Sequence, residues 1–335
     1  MNIMLDQWFF LYIPLIFCGL SFLVNPVFIY LIFTEKSTNF GNYRYLLLYF
    51  ALFNLIYSVV YVAVPLDIHS YRYCFFLTVR NGWFSEASEI NFGIIALRCT
   101  MVAASYAVLL IHFIYRYLVI QNSSLTRHNF HWYLTISAVV FVVYFATWYA
   151  ICYFPGRANV EIKEYIRKDF FEIYGTDSMD YNMLGALFHD GSNETVYLSW
   201  VATMTWTAIS TASIIAFTVM TRMIVRKLRK ISTNASKKTS KFQFELLRAL
   251  IVQTVIPILI SFSPCLLCWY SPMFGIPLAR EINYLEICAF GVFPFADPVA
   301  IILCLPVFRK RIFCSCKSVP ASVAGTTNST NQRNS

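Results

Sequence analysis

Arg98 is the residue that most demands an explanation. It sits inside the apolar run 92–119, 18 residues before Arg116. In a helix that separation is roughly 27 Å at 1.5 Å per residue, so the two arginines lie toward opposite ends of the run. A guanidinium does not shed its proton, and in an apolar setting it needs a partner. Three uses are open: an ion pair with Glu89 or Glu286, contact with a ligand oxygen (carboxylate or carbonyl), or extension to the lipid headgroups. Asn25, Asn54 and Asp297 pose a related question in three other runs. They read either as a hydrogen-bonded network joining three helices or as a hinge whose repacking accompanies activation. Pro298 directly after Asp297 predicts a local break, because proline lacks an amide donor and crowds the preceding turn. Pro257 and Pro264 predict a kink in the run 246–270.

Other chemistry is sparse. There is no HExxH, GxSxG, Walker or dinucleotide motif, and the five histidines are scattered. Neither enzymatic activity nor a metal or cofactor is expected. Cys265 and Cys268 have CxxC spacing but fall in an apolar run, where cysteine is a small packing residue. Cys74 and Cys152 flank the same membrane face and are candidates for a disulfide. Cys314 and Cys316 follow Arg309-Lys310-Arg311, a pattern suited to palmitoylation at a membrane surface.

The elements that must position these residues are seven apolar runs, at 8–33, 45–64, 92–119, 132–154, 196–219, 246–270 and 282–305. A helix of about 20 residues crosses a ~30 Å hydrocarbon core, so the expected fold is all-α: a seven-transmembrane helix bundle. The chain is 58% hydrophobic and only 13% charged, about half the charged share of a soluble domain. Of the 26 Lys and Arg, 18 lie in the first, third and fifth gaps, in the C-terminal tail or at the run ends that border them (Arg116 and Arg248), and seven in the N-terminus and the remaining gaps; Arg98 lies deeper within a run. The positive-inside rule then puts the N-terminus outside and the tail in the cytoplasm. This distribution also turns the net charge of +9 toward anionic lipid rather than nucleic acid.

Residues 1–7 carry no Lys or Arg and read as a short extracellular N-terminus before the first span, not a signal peptide. Residues 8–306 form the membrane domain, 307–318 a juxtamembrane amphipathic segment and 319–335 a disordered polar tail. Asn193-Glu194-Thr195 is a glycosylation sequon on the outer side. Asn122, Asn234 and Asn328 also fit but face inward and are expected to stay unmodified. Aromatics gather in the outer halves of the spans; Trp200 and Trp269, with Arg98 and Glu286, are candidate ligand contacts. Arg226 and Lys241, on helical extensions of spans five and six, are candidates for a cytoplasmic docking surface.

Five segments recur in a specific order: Gly41-Asn42-Tyr43-Arg44-Tyr45-Leu46, His112-Phe113-Ile114-Tyr115-Arg116-Tyr117, Leu250-Ile251-Val252-Gln253-Thr254-Val255-Ile256-Pro257, Pro294-Phe295-Ala296-Asp297-Pro298 and Phe308-Arg309-Lys310-Arg311. Over nearly the whole chain this resembles a G-protein-coupled receptor, and within that class the nematode Str-type serpentine chemoreceptors. The resemblance implies an olfactory receptor for small environmental chemicals that signals through a heterotrimeric G protein from the plasma membrane of a sensory neuron cilium. It also implies that Tyr115-Arg116-Tyr117 stands where rhodopsin-like receptors carry Asp-Arg-Tyr, and Asp297-Pro298 where they carry Asn-Pro. The chain departs from that pattern in three places. No acid precedes Arg116, Asn54 stands in place of a helix-two aspartate, and the segment 155–195 has no cysteine for the usual disulfide. A ligand-gated cation channel would need the opposite orientation, and a transporter would show repeated halves. A receptor for a basic peptide would suit the acidity of 155–195, which holds eight Asp or Glu against four Lys or Arg.

Overall fold

The protein is described by a computed structural model covering residues 2–35, 41–79, 83–232, 237–259, 263–276, 278 and 280–315. Its elements are α1 (Asn2–Thr34), α2 (Tyr43–Ala63), β1 (Leu66–Tyr71), β2 (Cys74–Val79), α3 (Glu89–Ile120), α4 (Ser124–Arg127), α5 (Phe130–Tyr153), α6 (Val160–Tyr174), β3 (Met183–Leu187), α7 (Asn193–Ser232), α8 (Lys237–Pro257), α9 (Ser263–Met273), α10 (Arg280–Cys304) and α11 (Pro306–Ser315). Among the described residues six helices, α1, α2, α3, α5, α7 and α10, are long and apolar enough to cross a membrane. The remaining run, 246–270, is divided between α8, which ends at Pro257, and α9, which starts one residue before Pro264. Residues 258–259 continue from α8 as a π turn, and 260–262, where the expected kink falls, lie outside the described residues.

α3 is the axis of the bundle. In its most apolar stretch 72% of the residues are buried, against 17% for α5, which is therefore peripheral. Small residues on α3 (Ala96, Thr100, Ala103, Ala104, Ala107) are fully enclosed and let neighbouring backbones come close. α1 lies equally close to α10. A Cβ placed on Gly291 would stand 2.5 Å from the Pro14 Cβ and 2.8 Å from its Cα, so only glycine fits.

Contrary to expectation, α10 runs through Pro294 and Pro298 as one helix. Pro298 cannot donate to the carbonyl of Pro294, but the Asn25 side-chain amide does, at 3.1 Å. The orphaned acceptor is satisfied from α1, and the helix does not need to open.

The second departure is a β-sheet. The segment between α2 and α3 folds as a hairpin turned at Arg72, whose φ is +49°. β1 and β2 pair antiparallel with Leu66 opposite Val79 and Tyr71 opposite Cys74. β3 adds to β2 with Cys74 opposite Leu187 and Phe75 opposite Ala186. This register puts Leu66, Ile68, Phe75, Leu77 and Leu184 on one face, over the end of the bundle. Cys74, Phe76, Met183 and Leu187 face the other way, against Ile162, Ile166 and Phe170 of α6. Both faces are covered, so β2 reads Cys-Phe-Phe-Leu-Thr-Val with little polar alternation; a short apolar run of this kind is equally open to a helical reading. Residues 156–158 close the free edge of β3 through Ala158 N to Met183 O (3.1 Å) and Gly185 N to Gly156 O (3.0 Å). The chain is thus a helix bundle capped at one end by a sheet and then by α6.

Candidate functional site

Beneath the cap lies a cavity of about 60 Å³. Its ceiling is the bundle-facing side of the sheet. Its walls are Arg98, Cys99, Val102 and Tyr106 of α3, Trp148 and Cys152 of α5, Trp206 and Ser210 of α7, Trp269 of α9 and Phe290 of α10. The Trp206 indole stacks on both Trp148 (centroids 6.2 Å apart) and Trp269 (6.1 Å). Phe75 descends from the ceiling edge-on to Trp269, at 6.4 Å.

Arg98 brings the charge. It is 2% exposed, and its Nε has no hydrogen-bond partner. The guanidinium carbon lies 4.8 Å from the ring of Tyr61, 5.1 Å from that of Tyr57 and 5.8 Å from that of Phe290. Cation–π contact offsets part of the cost of burying the charge. Glu89 does not pair with Arg98. Its carboxylate takes two bonds from Arg157 (2.9 and 2.5 Å) and one from Tyr153 (3.2 Å). Nine residues along α3, roughly 13 Å, keep Arg98 below that cluster.

Of the other sequence-derived candidates, Trp269 lines the cavity and Trp200 does not; it packs edge-on to Phe188, at 5.5 Å. Trp148, Trp206 and the sheet residues are contributors that the sequence reading did not single out as ligand contacts. Cys74 and Cys152 are free thiols, and the candidate disulfide between them is not formed. Cys74 faces α6, whereas Cys152 lines the cavity beneath the opposite face of the sheet. The side chains of Glu286, Lys241, Pro257 and Cys314 lie outside the described residues, as does all of Cys316 and the segment 319–335.

The other end of the bundle gathers the motif residues. The guanidinium carbon of Arg116 sits 3.7 Å from the centre of the Tyr43 ring, and its Nη1 donates to Gln243 Oε1 of α8 at 3.1 Å. Tyr115 also stacks on Tyr43 (5.4 Å, 19° between planes), and the Tyr43 hydroxyl meets His112 Nδ1 at 3.2 Å. Arg116 is therefore held by a tyrosine and a neutral amide. Tyr117 is half-buried toward α7, and Arg226 is exposed on α7. In mid-bundle the Asn25 amide donates to Ser21 and Pro294, and the Ser58 hydroxyl lies 3.0 Å from both Ser21 Oγ and the Asn54 carbonyl. No direct bond joins the Asn25, Asn54 and Asp297 side chains among the described residues.

Residues 4–312 match the model of the serpentine-type seven-transmembrane G-protein-coupled chemoreceptor family Srj. The chain is 61% identical over 309 residues to serpentine receptor class J-38 of Caenorhabditis elegans, covering 92% of this chain and 94% of that one. The chain belongs to the Srj family of serpentine chemoreceptors. This Srj protein is a multi-pass membrane receptor of the G-protein-coupled chemoreceptor type. It is also 26% identical to serpentine receptor class r-10 of Caenorhabditis briggsae (88% of this chain, 86% of that one). With the G-protein coupled receptor str-33 of C. elegans the identity is 23% (85% and 84%). The Str-type assignment is therefore corrected to Srj. Members of other branches match along most of the chain at such low identity that short motifs spread over its length do not separate the branches.

Proposed function

We propose that this Srj receptor binds a small environmental chemical in the cavity beneath the sheet and passes the event to a heterotrimeric G protein at the opposite end of the bundle. The cavity itself carries the reading: a buried cation with unused donor capacity set among indole rings under a folded lid. Arg98 donates to an oxygen of the ligand, and the aromatic walls hold its apolar part. The distribution of basic residues supports placing the cap outside the cell and Arg116 at the cytoplasmic face. A ligand that fits one arrangement of the bundle better shifts the population toward it. The Gln243-bearing helix then moves away from Arg116, releasing the bond between them. Tyr115, Arg116, Tyr117, Arg226 and Lys241 then form the docking surface for the G protein.

In this orientation Asn193 is exposed to glycosylation and α11 lies along the inner leaflet, where Cys314 and Cys316 accept palmitate. A sensory cilium fits the chemoreceptor role. The acids of 155–195 do not favour a basic-peptide ligand, because Asp177, Glu164, Asp169 and Glu161 are bonded within the cap.

The test is an N-terminally tagged receptor stained on intact cells and exposed to volatile and water-soluble compounds with a G-protein-dependent reporter. Surface staining with a response that Arg116→Ala abolishes is the expected result. A response that survives Arg116→Ala removes that residue from coupling. A tag reached only after permeabilisation reverses the topology.

A further inference from the structure

Building on the proposed ligand cavity, we infer that its ligand is a small organic anion, a short-chain carboxylate, held by Arg98 with its hydrocarbon end against the indoles. Three observations carry this. First, Arg98 is buried and permanently charged, and among the described residues no carboxylate pairs with it. Glu89, the nearest acid along α3, is occupied by Arg157. Aromatic rings offset a buried cation only in part; a carboxylate that accepts from the guanidinium offsets far more, through charge-assisted bonds in the planar geometry that the fork favours. Second, the Nε donor of Arg98 has no partner, so an accepting oxygen gains a bond without displacing one. Third, the cavity is small. A single water needs roughly 10–15 Å³, and an engineered cavity of about 150 Å³ takes benzene. At about 60 Å³ the space suits a molecule of only a few non-hydrogen atoms. The rest of the lining is mostly apolar but includes the hydroxyls of Tyr106 and Ser210, and the Trp206 Nε1, Trp269 Nε1 and Ser210 Oγ atoms have no hydrogen-bond partner, so a second polar atom on the ligand would also find a donor.

The choice of carboxylate over a neutral carbonyl rests on charge. A ketone or ester would take a bond from Arg98 but bring no charge to a cation that no carboxylate pairs with among the described residues. A carboxylate brings the missing opposite charge into a setting of low dielectric, where its benefit is greatest.

The probes are acetate and propanoate, each compared with its methyl ester and primary amide. Thermal unfolding of the full receptor in detergent reports binding without any G protein. The acids are expected to raise the midpoint temperature in a saturable way, and the matched esters and amides are not. Arg98→Gln should weaken the apparent affinity for the acids at least about 30-fold, with Arg98→Lys intermediate. Should Arg98→Gln not fold, Val102→Phe, which fills the cavity and keeps the charge, is expected to abolish the shift as well. Stabilisation by esters and amides as strong as by acids overturns the anion assignment and leaves the receptor reading intact. Stabilisation by none of the acids also overturns it. Stabilisation by acids without any reporter response faults the signalling assignment and leaves the anion assignment standing.

Discussion

At the scale of single residues, the polar side chains inside the bundle each answer a specific backbone or packing demand. Asn25 is the clearest. It completes the hydrogen bonding of a carbonyl that Pro298 leaves bare, so Asn25→Ala should lower stability by about 1–2 kcal/mol, read as an earlier thermal unfolding of the purified receptor. Gly291 is set by contact with Pro14, and Gly291→Ala should cost about 1–3 kcal/mol because backbone, not a flexible side chain, stands in the way. An unchanged unfolding temperature in either variant would contradict these roles. Arg116 makes its bond to a neutral partner on another helix. Gln243→Leu removes that bond and should raise ligand-independent reporter activity, by a bias of about 1–2 kcal/mol toward the released state; basal activity equal to the wild type would mean that the contact does not restrain the bundle.

At the scale of elements, the cap behaves as a small unit with its own electrostatics. Glu161 of α6 accepts from the Ser192 hydroxyl (2.7 Å), the Ser192 amide (2.5 Å) and the Thr195 hydroxyl. These bonds hold its carboxyl below the usual 4.5. Arg167 grips Asp177 through Nε (3.0 Å) and Nη2 (2.5 Å), which with the Met179 amide lowers that carboxyl below the usual 3.8. Both folded-state values lie below those of the unfolded chain. The stabilisation is therefore fully present above the ordinary carboxylate range and is lost as pH falls through the depressed values. Hydrogen exchange of β3 and α6 should stay slow at neutral and mildly acid pH and quicken only below that range. Quickening that begins well above 4.5 would assign the cap's pH response to other groups. The groups are exposed, so the effect is confined to local opening of the cap.

At the scale of the whole molecule, two ends with different chemistry are joined by one helix bundle. If the cap is outside, Asn193 is the sequon that receives glycan. A glycosidase-sensitive mobility shift lost in Asn193→Gln and unaffected by changes at Asn122 is the expected result; a glycan on Asn122 would place the Arg116 end outside.

Much of this was legible in the sequence. The seven runs, the clustering of basic residues toward one side and the proline-rich sixth run follow from length, hydropathy and charge, which act locally and need no knowledge of neighbours. The membrane sets the length of a helix. The sheet was not legible as such, because a strand buried on both faces loses the alternation that marks a half-exposed one. The continuity of α10 was misread for a similar reason: the donor that rescues Pro298 stands 269 residues away on α1. The need of Arg98 for a partner was visible from its type and place. Only the tertiary structure assigned Glu89 to Arg157 and set Arg98 among three aromatic rings on α2 and α10. It alone made the sheet a ceiling over those side chains, because long-range packing, not local propensity, decides which residues meet.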